Sequence, residues 1–446
     1  MAERDRQRSG AAREKRFAPP VYLQTLTFAF LGLVLLTLLG PFMTFNNPAT
    51  SGTGSPLRQG LYLLVCLTAL VGLRPWADPA RLLPVPLPLT IALAWCAASL
   101  LWAIEPGIAV RRLVLTAGII WAIFATVPRL GYDRTVLLLR VMLALSVVAS
   151  FLAVFAWPAF GIHQIDESYD KALIGDWRGI FLHKNIAGAV SALTVIAFAF
   201  DQRTMPRAVQ VAVIAMAAVF LWFSGSRTSL GVCAIALLAG LLFLRYQSRN
   251  RLLVLGLTCF VALAGSVFLN IYNDPLLRHT QDPTAFTGRT QIWQVLGRYS
   301  ADSPLGSGYG SFWNIGPDSP VFDYATGWVT EVAEGHNGFL DLMATIGVPG
   351  LLIVIVTLII WPLTRLFASS AAIGGRGALI LATVVFCIAH NGTESSLLDR
   401  DQVVNVLLMI ALALLWTVTA RDARRPAARP SGSPGTRRPG VSPLRL

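Results

Sequence analysis

Glu334-Gly335-His336-Asn337-Gly338-Phe339-Leu340-Asp341 is a polar passage that runs without a break into the apolar stretch 342–362. About 20 apolar residues are enough to carry a helix across the hydrocarbon core of a bilayer. An ionisable cluster where a chain enters lipid is costly to keep, so this junction marks both a membrane fold and a functional position. Outward from it, apolar runs recur near 21–41, 59–74, 85–104, 109–127, 135–158, 184–200, 207–224, 228–244, 251–271, 337–362, 377–393 and 402–420. Lipid admits only helices or closed barrels, and these runs are too long and too uniform for barrel strands. The sequence therefore predicts an all-α polytopic membrane protein of about twelve transmembrane helices. The second run is short and begins after Arg58, and the fourth carries Arg111 and Arg112 near its start. The first run has no small-residue cleavage site before a soluble chain, so it reads as a retained span.

Composition agrees. Hydrophobic residues make up 55% and charged residues 13% of the 446, with a mean hydropathy of +0.62; a soluble domain carries about 25% charged residues. A formal charge of +13 would suggest nucleic acid in a soluble protein, but its placement argues otherwise. With the N-terminus inside, 24 of the 36 Lys and Arg fall in inner segments, 11 in outer ones, and Arg140 within a span. Acidic residues split the opposite way, 7 inside and 16 outside. This bias predicts both termini in the cytoplasm. The basic excess serves topology and attraction to anionic headgroups, making membrane lipids the partner and nucleic acid not one. The five cysteines (Cys66, Cys96, Cys233, Cys259, Cys387) all lie in apolar runs, with no CxxC pair, which predicts neither disulfides nor a thiolate metal site.

Residues 1–20 and 421–446 are expected to be disordered cytoplasmic tails, flanking a membrane domain at 21–420. Two outer loops stand out. Residues 159–183 are dense in ionisable groups: His163, Asp166, Glu167, Asp170, Lys171, Asp176, Arg178 and His183. Residues 272–336 open with the turn signal Asn273-Asp274-Pro275 and continue through an amphipathic stretch near 289–300, with Ile292, Trp293 and Leu296 on one face. The Gly- and aromatic-rich run Pro304-Leu-Gly-Ser-Gly-Tyr-Gly-Ser-Phe-Trp313 follows. Its aromatics, with Trp293, Tyr299, Phe322, Tyr324 and Trp328, predict a folded lid at the membrane interface. Neither a solenoid repeat nor an inverted repeat is evident, which weakens a transporter reading.

Several positions can carry chemistry, each with a plainer alternative. His336 stands at the outer surface, and Gly347-Val-Pro-Gly350 interrupts the helix behind it about 16 Å deeper, at 1.5 Å per residue. A neutral imidazole there can take a proton from a sugar hydroxyl; a histidine that only hydrogen-bonds at a helix start would look the same. Arg227, in Ser224-Gly-Ser-Arg-Thr228, and Arg289, at the head of the amphipathic stretch, could each grip a pyrophosphate with a bidentate fork, or anchor to headgroups and solvent. Arg298 lies on the same stretch and reads as solvent-facing. Arg178 and Lys184 add to an anion-binding surface or anchor the sixth span. Glu394, in His390-Asn391-Gly-Thr-Glu394, orients an acceptor or pairs with an arginine, and Asp341 inside an apolar helix requires a partner. No P-loop, GxGxxG, HExxH, GxSxG or Cys/His cluster occurs, so neither a metal nor a cofactor is expected.

Taken together these residues resemble the O-antigen ligase and O-antigen polymerase superfamily, bacterial inner-membrane transferases that take a glycan from undecaprenyl pyrophosphate. Four places carry the resemblance, which spans roughly residues 20 to 420. His336-Asn337, nine residues, then Gly347-Val-Pro-Gly350 fits the ligase-type pattern. Ser224-Gly-Ser-Arg-Thr228 is similar to the family's Ser-Arg signature. Gly288-Arg-Thr-Gln-Ile-Trp293 with Ser303-Pro-Leu-Gly-Ser-Gly-Tyr-Gly310 is the third place, and Gly179-Ile-Phe-Leu-His-Lys-Asn185 resembles the exopolysaccharide-polymerase branch. The resemblance implies a GT-C-like transferase bundle in the bacterial inner membrane, with 159–183 and 272–336 as periplasmic loops. It implies that Arg227 and Arg289 hold the pyrophosphate, and that His336 activates an acceptor hydroxyl for inverting attack without a metal. Arg178, Lys184, Asn185, Asn337 and Glu394 become candidate substrate-binding residues. The implied partners are the undecaprenyl-pyrophosphate-linked glycan, an acceptor glycan, a chain-length regulator and a flippase. A glycan polymerase is favoured by His183-Lys184-Asn185; a ligase acting on lipid A-core and a lipid-linked sugar flippase stay open.

Overall fold

The computed structural model describes residues 20–40, 54–165, 173–202, 205–245 and 288–420. The ninth run at 251–271, both tails, the 273–275 turn, Cys259 and the charges at 166–171 lie outside the described residues.

Within them the chain is helical, and its one extended pairing is an isolated bridge between Ile162 and Trp177. The helices are α1 (Val21–Leu39), α2 (Pro56–Leu73), α3 (Leu87–Ala98), α4 (Pro106–Leu130), α5 (Tyr132–Ala156), α6 (Lys184–Ala199), α7 (Arg207–Phe223), α8 (Arg227–Leu244), α9 (Arg289–Asp302), α10 (Gly338–Ile355), α11 (Trp361–Ala368), α12 (Gly374–His390) and α13 (Val403–Thr419). Outside α9 and α11, each follows one of the expected apolar runs, with ends shifted by a few residues. Local chemistry sets those ends. Ser55 accepts from the Arg58 amide to cap α2, whose first residue is Pro56, where a missing N–H costs nothing. Gly131, at φ 78°, is the single residue linking α4 to α5.

Among the described residues, six helical segments are long and apolar enough to cross a membrane: α1, α2, α4, α5, α8 and the rod from Gly338 to Ala368, in which α10 continues through a π turn at 356–360 into α11. The apolar helices α3, α6, α7, α12 and α13 are shorter. Two of them are interior. Nearly every residue of α6 and α13 is buried, the pattern of a helix apolar on all sides. α13 packs against α4 and α12, and α8 runs along α12.

A second, smaller core belongs to the segment 288–336, with Ala344 of α10. α9 buries Ile292, Val295, Leu296 and Tyr299 against Phe312, Trp313, Val321 and Val329. The expected amphipathic helix is therefore present, and the aromatics fold the segment around themselves, with Arg298 exposed. Segment and membrane helix meet at Gly347. Its φ of 72° breaks α10, and a Cβ there would collide with the Pro304 carbonyl. The backbone groups freed by the break find partners: Val348 N donates to Pro304 O at 3.0 Å, Ser307 N to Ala344 O at 2.9 Å, and the Trp95 indole to Ile346 O at 3.0 Å.

Several ion pairs join separate elements. They are Arg58–Asp401, Lys184–Asp176, Arg289–Glu394 and Arg376–Asp133, and each joins residues that the sequence reading assigns to one side. Arg140, the cation within a span, is buried and donates to the carbonyls of Ala197 in the last turn of α6 and of Phe200 and Asp201 beyond its end.

Candidate functional site

The site forms where the start of α10, the end of α12 and the start of α6 converge. Asn337 caps α10: its side-chain oxygen accepts from the amides of Phe339 and Leu340 at 3.1 and 3.2 Å. Its amide nitrogen donates to Gly392 O at 3.0 Å, and the Gly338 N–H donates to Asn391 O at 2.9 Å and Glu394 O at 3.0 Å. The start of α10 is thus bonded to the loop that follows α12.

One residue earlier the backbone of His336 takes φ 48°. That region is uncommon for a side chain bearing Cβ, though histidine enters it more readily than most, and it persists where the surroundings hold it. The result sets the imidazole between two carboxylates. Nδ1 is 3.3 Å from Glu334 and 3.5 Å from Glu394. Glu394 Oε1 also accepts from Arg289 and from the Asn185 amide, both at 2.8 Å, and Arg289 donates to the Thr393 carbonyl as well. Glu394 is therefore the hub, joining three positions named from sequence: His336, Arg289 and Asn185. Of the two roles read for it, pairing with an arginine is the one found.

Electrostatics follow from this packing. Burial would raise the Glu394 carboxyl, but His336 and Arg289 outweigh it and bring it down to about 2, so it stays charged. Glu334 is pushed the other way. Burial, with the charges of Glu394 and Asp341 adding to it, lifts its carboxyl to about 7 against the pull of His336. For His336, burial opposes the imidazolium, yet the contact with Glu394 and the charge of Glu334 prevail and hold it above the ordinary histidine range. The neutral imidazole expected from sequence is thus a group that holds its proton more firmly than a free histidine. Ligand atoms of Glu334, His336 and Glu394 lie within 4.8 Å of one another, close enough to hold a cation. Arg289 already supplies positive charge to Glu394 in that cluster.

The other sequence candidates are placed as follows. Arg227 is exposed at the start of α8. Its neighbour Thr228 meets Thr393 at 3.0 Å, which sets Arg227 beside the site. Lys184 pairs with Asp176 at 2.5 Å. Arg178 is buried and donates to Phe160 O at 2.8 Å, with its guanidinium 5.9 Å from the Phe160 ring centre. His183 caps α6 by accepting from the Asn185 amide at 3.2 Å; burial, then His163, depress it to about 4. Asp341 finds dipoles in place of a countercharge: the Trp313 indole at 2.7 Å and the Gly335 amide at 3.0 and 3.1 Å. A cavity of about 180 Å³ opens beside His336, lined by His183, Asn185, Glu334 and Glu394 on its polar side and by Ile186 and Val404 on its apolar side.

Glu334 was read only as the head of the polar passage, with no role of its own, and the stretch Leu398-Asp399-Arg400-Asp401 was not singled out from sequence. Glu334 stood two residues from His336, at the spacing that lets a tight turn bring both side chains together. Asp399-Arg400 offered only an adjacent pair of opposite charges.

Residues 211–355 match the model of the family described as O-antigen ligase. That match, over about a third of the chain, takes in Arg227, Arg289 and His336, and it supports the resemblance to the O-antigen ligase and polymerase superfamily. A search of curated proteins finds no match.

Proposed function

We propose that the protein is a glycan polymerase. In this reading it moves an oligosaccharide from polyprenyl pyrophosphate to an acceptor sugar hydroxyl at the periplasmic face of the bacterial inner membrane. The observation that carries it is the strained His336, fixed between two carboxylates with Arg289 and Asn185 on one of them and the exposed Arg227 alongside. With Nδ1 turned to the carboxylates, Nε2 takes the proton of the acceptor hydroxyl. The freed oxygen attacks the anomeric carbon, the carbon–phosphate-oxygen bond breaks on the opposite side, and polyprenyl pyrophosphate leaves with the electron pair, inverting the configuration. Glu334 and Glu394 stabilise the imidazolium that forms, and the arginines receive the charge on the departing pyrophosphate. The apolar wall of Ile186 and Val404 suits the first prenyl units.

Arg289 is tied to Glu394 and Arg227 is not in an ion pair among the described residues, so the two differ in readiness for an anion. Arg227→Lys should raise the donor KM, because a point charge loses the two-pronged geometry. Arg289→Lys should lower kcat too, since it also loosens Glu394. Wild-type donor kinetics in both variants would refute pyrophosphate clamping. Transfer is expected to need no metal: treatment with a chelator should leave turnover unchanged, and loss restored by a divalent cation would assign one to Glu334, His336 and Glu394.

Product length decides among the enzymes of this superfamily. Purified protein in lipid with a lipid-pyrophosphate repeat unit should give a ladder of longer chains without added lipid A-core. Transfer to lipid A-core alone would make it a ligase, and no product with a verified donor would favour a flippase. The proximity of Asn185 to Glu394 supports a role for 183–185 in the site, which a ligase could share.

A further inference from the structure

Glu334 stands in the wall between two cavities. One is the His336 cavity; the other, also of about 180 Å³, lies across the loop from α12 to α13 and is bordered by Tyr309, Trp313, Asp399 and Arg400. The two share Glu334, Ser395, Ser396 and Gln402. We propose that the second cavity is a subsite for one neutral sugar ring of the acceptor glycan, in which Asp399 and Arg400 read a pair of neighbouring hydroxyls. This rests on the transferase reading above and adds the residues that select the acceptor.

The loop that offers these two side chains is held in an unfavourable shape. Leu398 has φ 51° and Arg400 φ 33°, conformations that bulky residues adopt only when surroundings impose them. The surroundings here come from four directions. The Tyr309 hydroxyl donates to Leu398 O, Arg400 N donates to Thr116 Oγ1 at 3.2 Å, Asn405 Nδ2 donates to Arg400 O at 3.1 Å, and Arg58 pairs with Asp401. Arg112 fixes the facing turn through the carbonyls of Gly310, Trp313 and Asn314.

What the loop presents is an ion pair with capacity to spare. Arg400 Nε donates to Asp399 Oδ1 at 2.7 Å, and the side chains stay 26% and 35% exposed. Among the described residues, the two terminal nitrogens of Arg400 and the second oxygen of Asp399 have no further side-chain bond and remain for a ligand. A planar donor fork beside an acceptor matches two vicinal hydroxyls, each of which donates and accepts. Trp313 adds an aromatic wall for the apolar face of a ring. Asp399, Glu334 and Asp341 share this space with Arg112 and Arg400, so the cavity has no surplus of positive charge for an anion such as pyrophosphate. A hydroxyl of a ring in this cavity need only pass Glu334 to reach His336.

The test uses the full chain in lipid nanodiscs, with two probes titrated separately. One is the free oligosaccharide released by mild acid from the cell's lipid-linked glycan; the other is undecaprenyl pyrophosphate. Wild type and His336→Ala should bind the oligosaccharide alike. Asp399→Asn and Arg400→Lys should weaken it at least tenfold, and Ala333→Phe, which fills the cavity from the loop before Glu334, should abolish it. All should retain undecaprenyl pyrophosphate, which also reports a folded protein. Failure of wild type to bind the oligosaccharide, or unchanged affinity in both Asp399→Asn and Ala333→Phe, overturns the subsite. The transferase reading fails separately, if His336→Ala still elongates chains.

Discussion

The tripeptide His-Asn-Gly occurs twice, at His336-Asn337-Gly338 and at His390-Asn391-Gly392, and the two copies lie against each other. Asn337 donates to Gly392 O, and Gly338 N–H donates to Asn391 O. The first copy begins a helix and the second ends one, and that alone separates their roles. At the start of α10 the asparagine caps the helix, and the histidine is left outside it, partly exposed at φ 48°. At the end of α12 the histidine is the last helical residue, 4% exposed, stacked on Phe386 and 3.2 Å from Ser229. Its asparagine is fully buried: it donates to Cys387 O and Ser396 Oγ, and accepts from the amides of Ser396 and Leu397. One copy holds reactive groups toward a cavity, and the other builds the floor beneath them.

The largest effect that can break this comparison is on turnover. His336→Ala should lower kcat by about 10²–10⁴-fold, the usual weight of a general base. His390→Ala should leave kcat within about tenfold while lowering Tm through the cavity it opens. Equal losses in the two variants, measured as elongation per folded protein, would erase the distinction.

A smaller effect concerns pH. A base must be neutral to act, so raising its pKa moves the acid limb of kcat/KM upward, to above pH 6.5. Glu394→Gln removes a charge that favours the imidazolium, so the limb should move to lower pH. An unmoved limb would mean that another group titrates, with Glu334, near 7, the first to consider.

The least effect separates the two asparagines by stability. Asn337→Ala removes a helix cap and should cost about 1 kcal/mol. Asn391→Ala leaves several buried groups unpaired and should cost about 1–3 kcal/mol for the desolvated groups, the larger of the two by denaturant midpoint. The reverse order would place the structural burden on the first copy.

Much of the fold was legible because apolar runs report lipid and burial directly: the runs at 207–224 and 228–244 became Arg207–Phe223 and Arg227–Leu244. The break at Gly347 was legible too, from glycine and proline within one run. His336, Arg289, Asn185 and Glu394 were each identifiable, yet their meeting was not. Arg289 and Glu394 are far apart in sequence, and no periodicity in one chain records which loops touch. The strained positions were hidden for another reason. His336, Leu398 and Arg400 adopt left-handed backbone without glycine, so the usual sequence marker of that conformation is missing.

The break at Gly347 also constrains how the molecule is assembled. Until the 303–307 segment docks, Ala344 O and Val348 N have no partners from that segment. Open backbone groups within hydrocarbon cost several kcal/mol each. A chain inserted in the membrane with this segment undocked therefore carries a penalty that only docking removes. The same segment leads into Tyr309 and Trp313, so completing the membrane helix and closing the wall of the second cavity are one event in biogenesis.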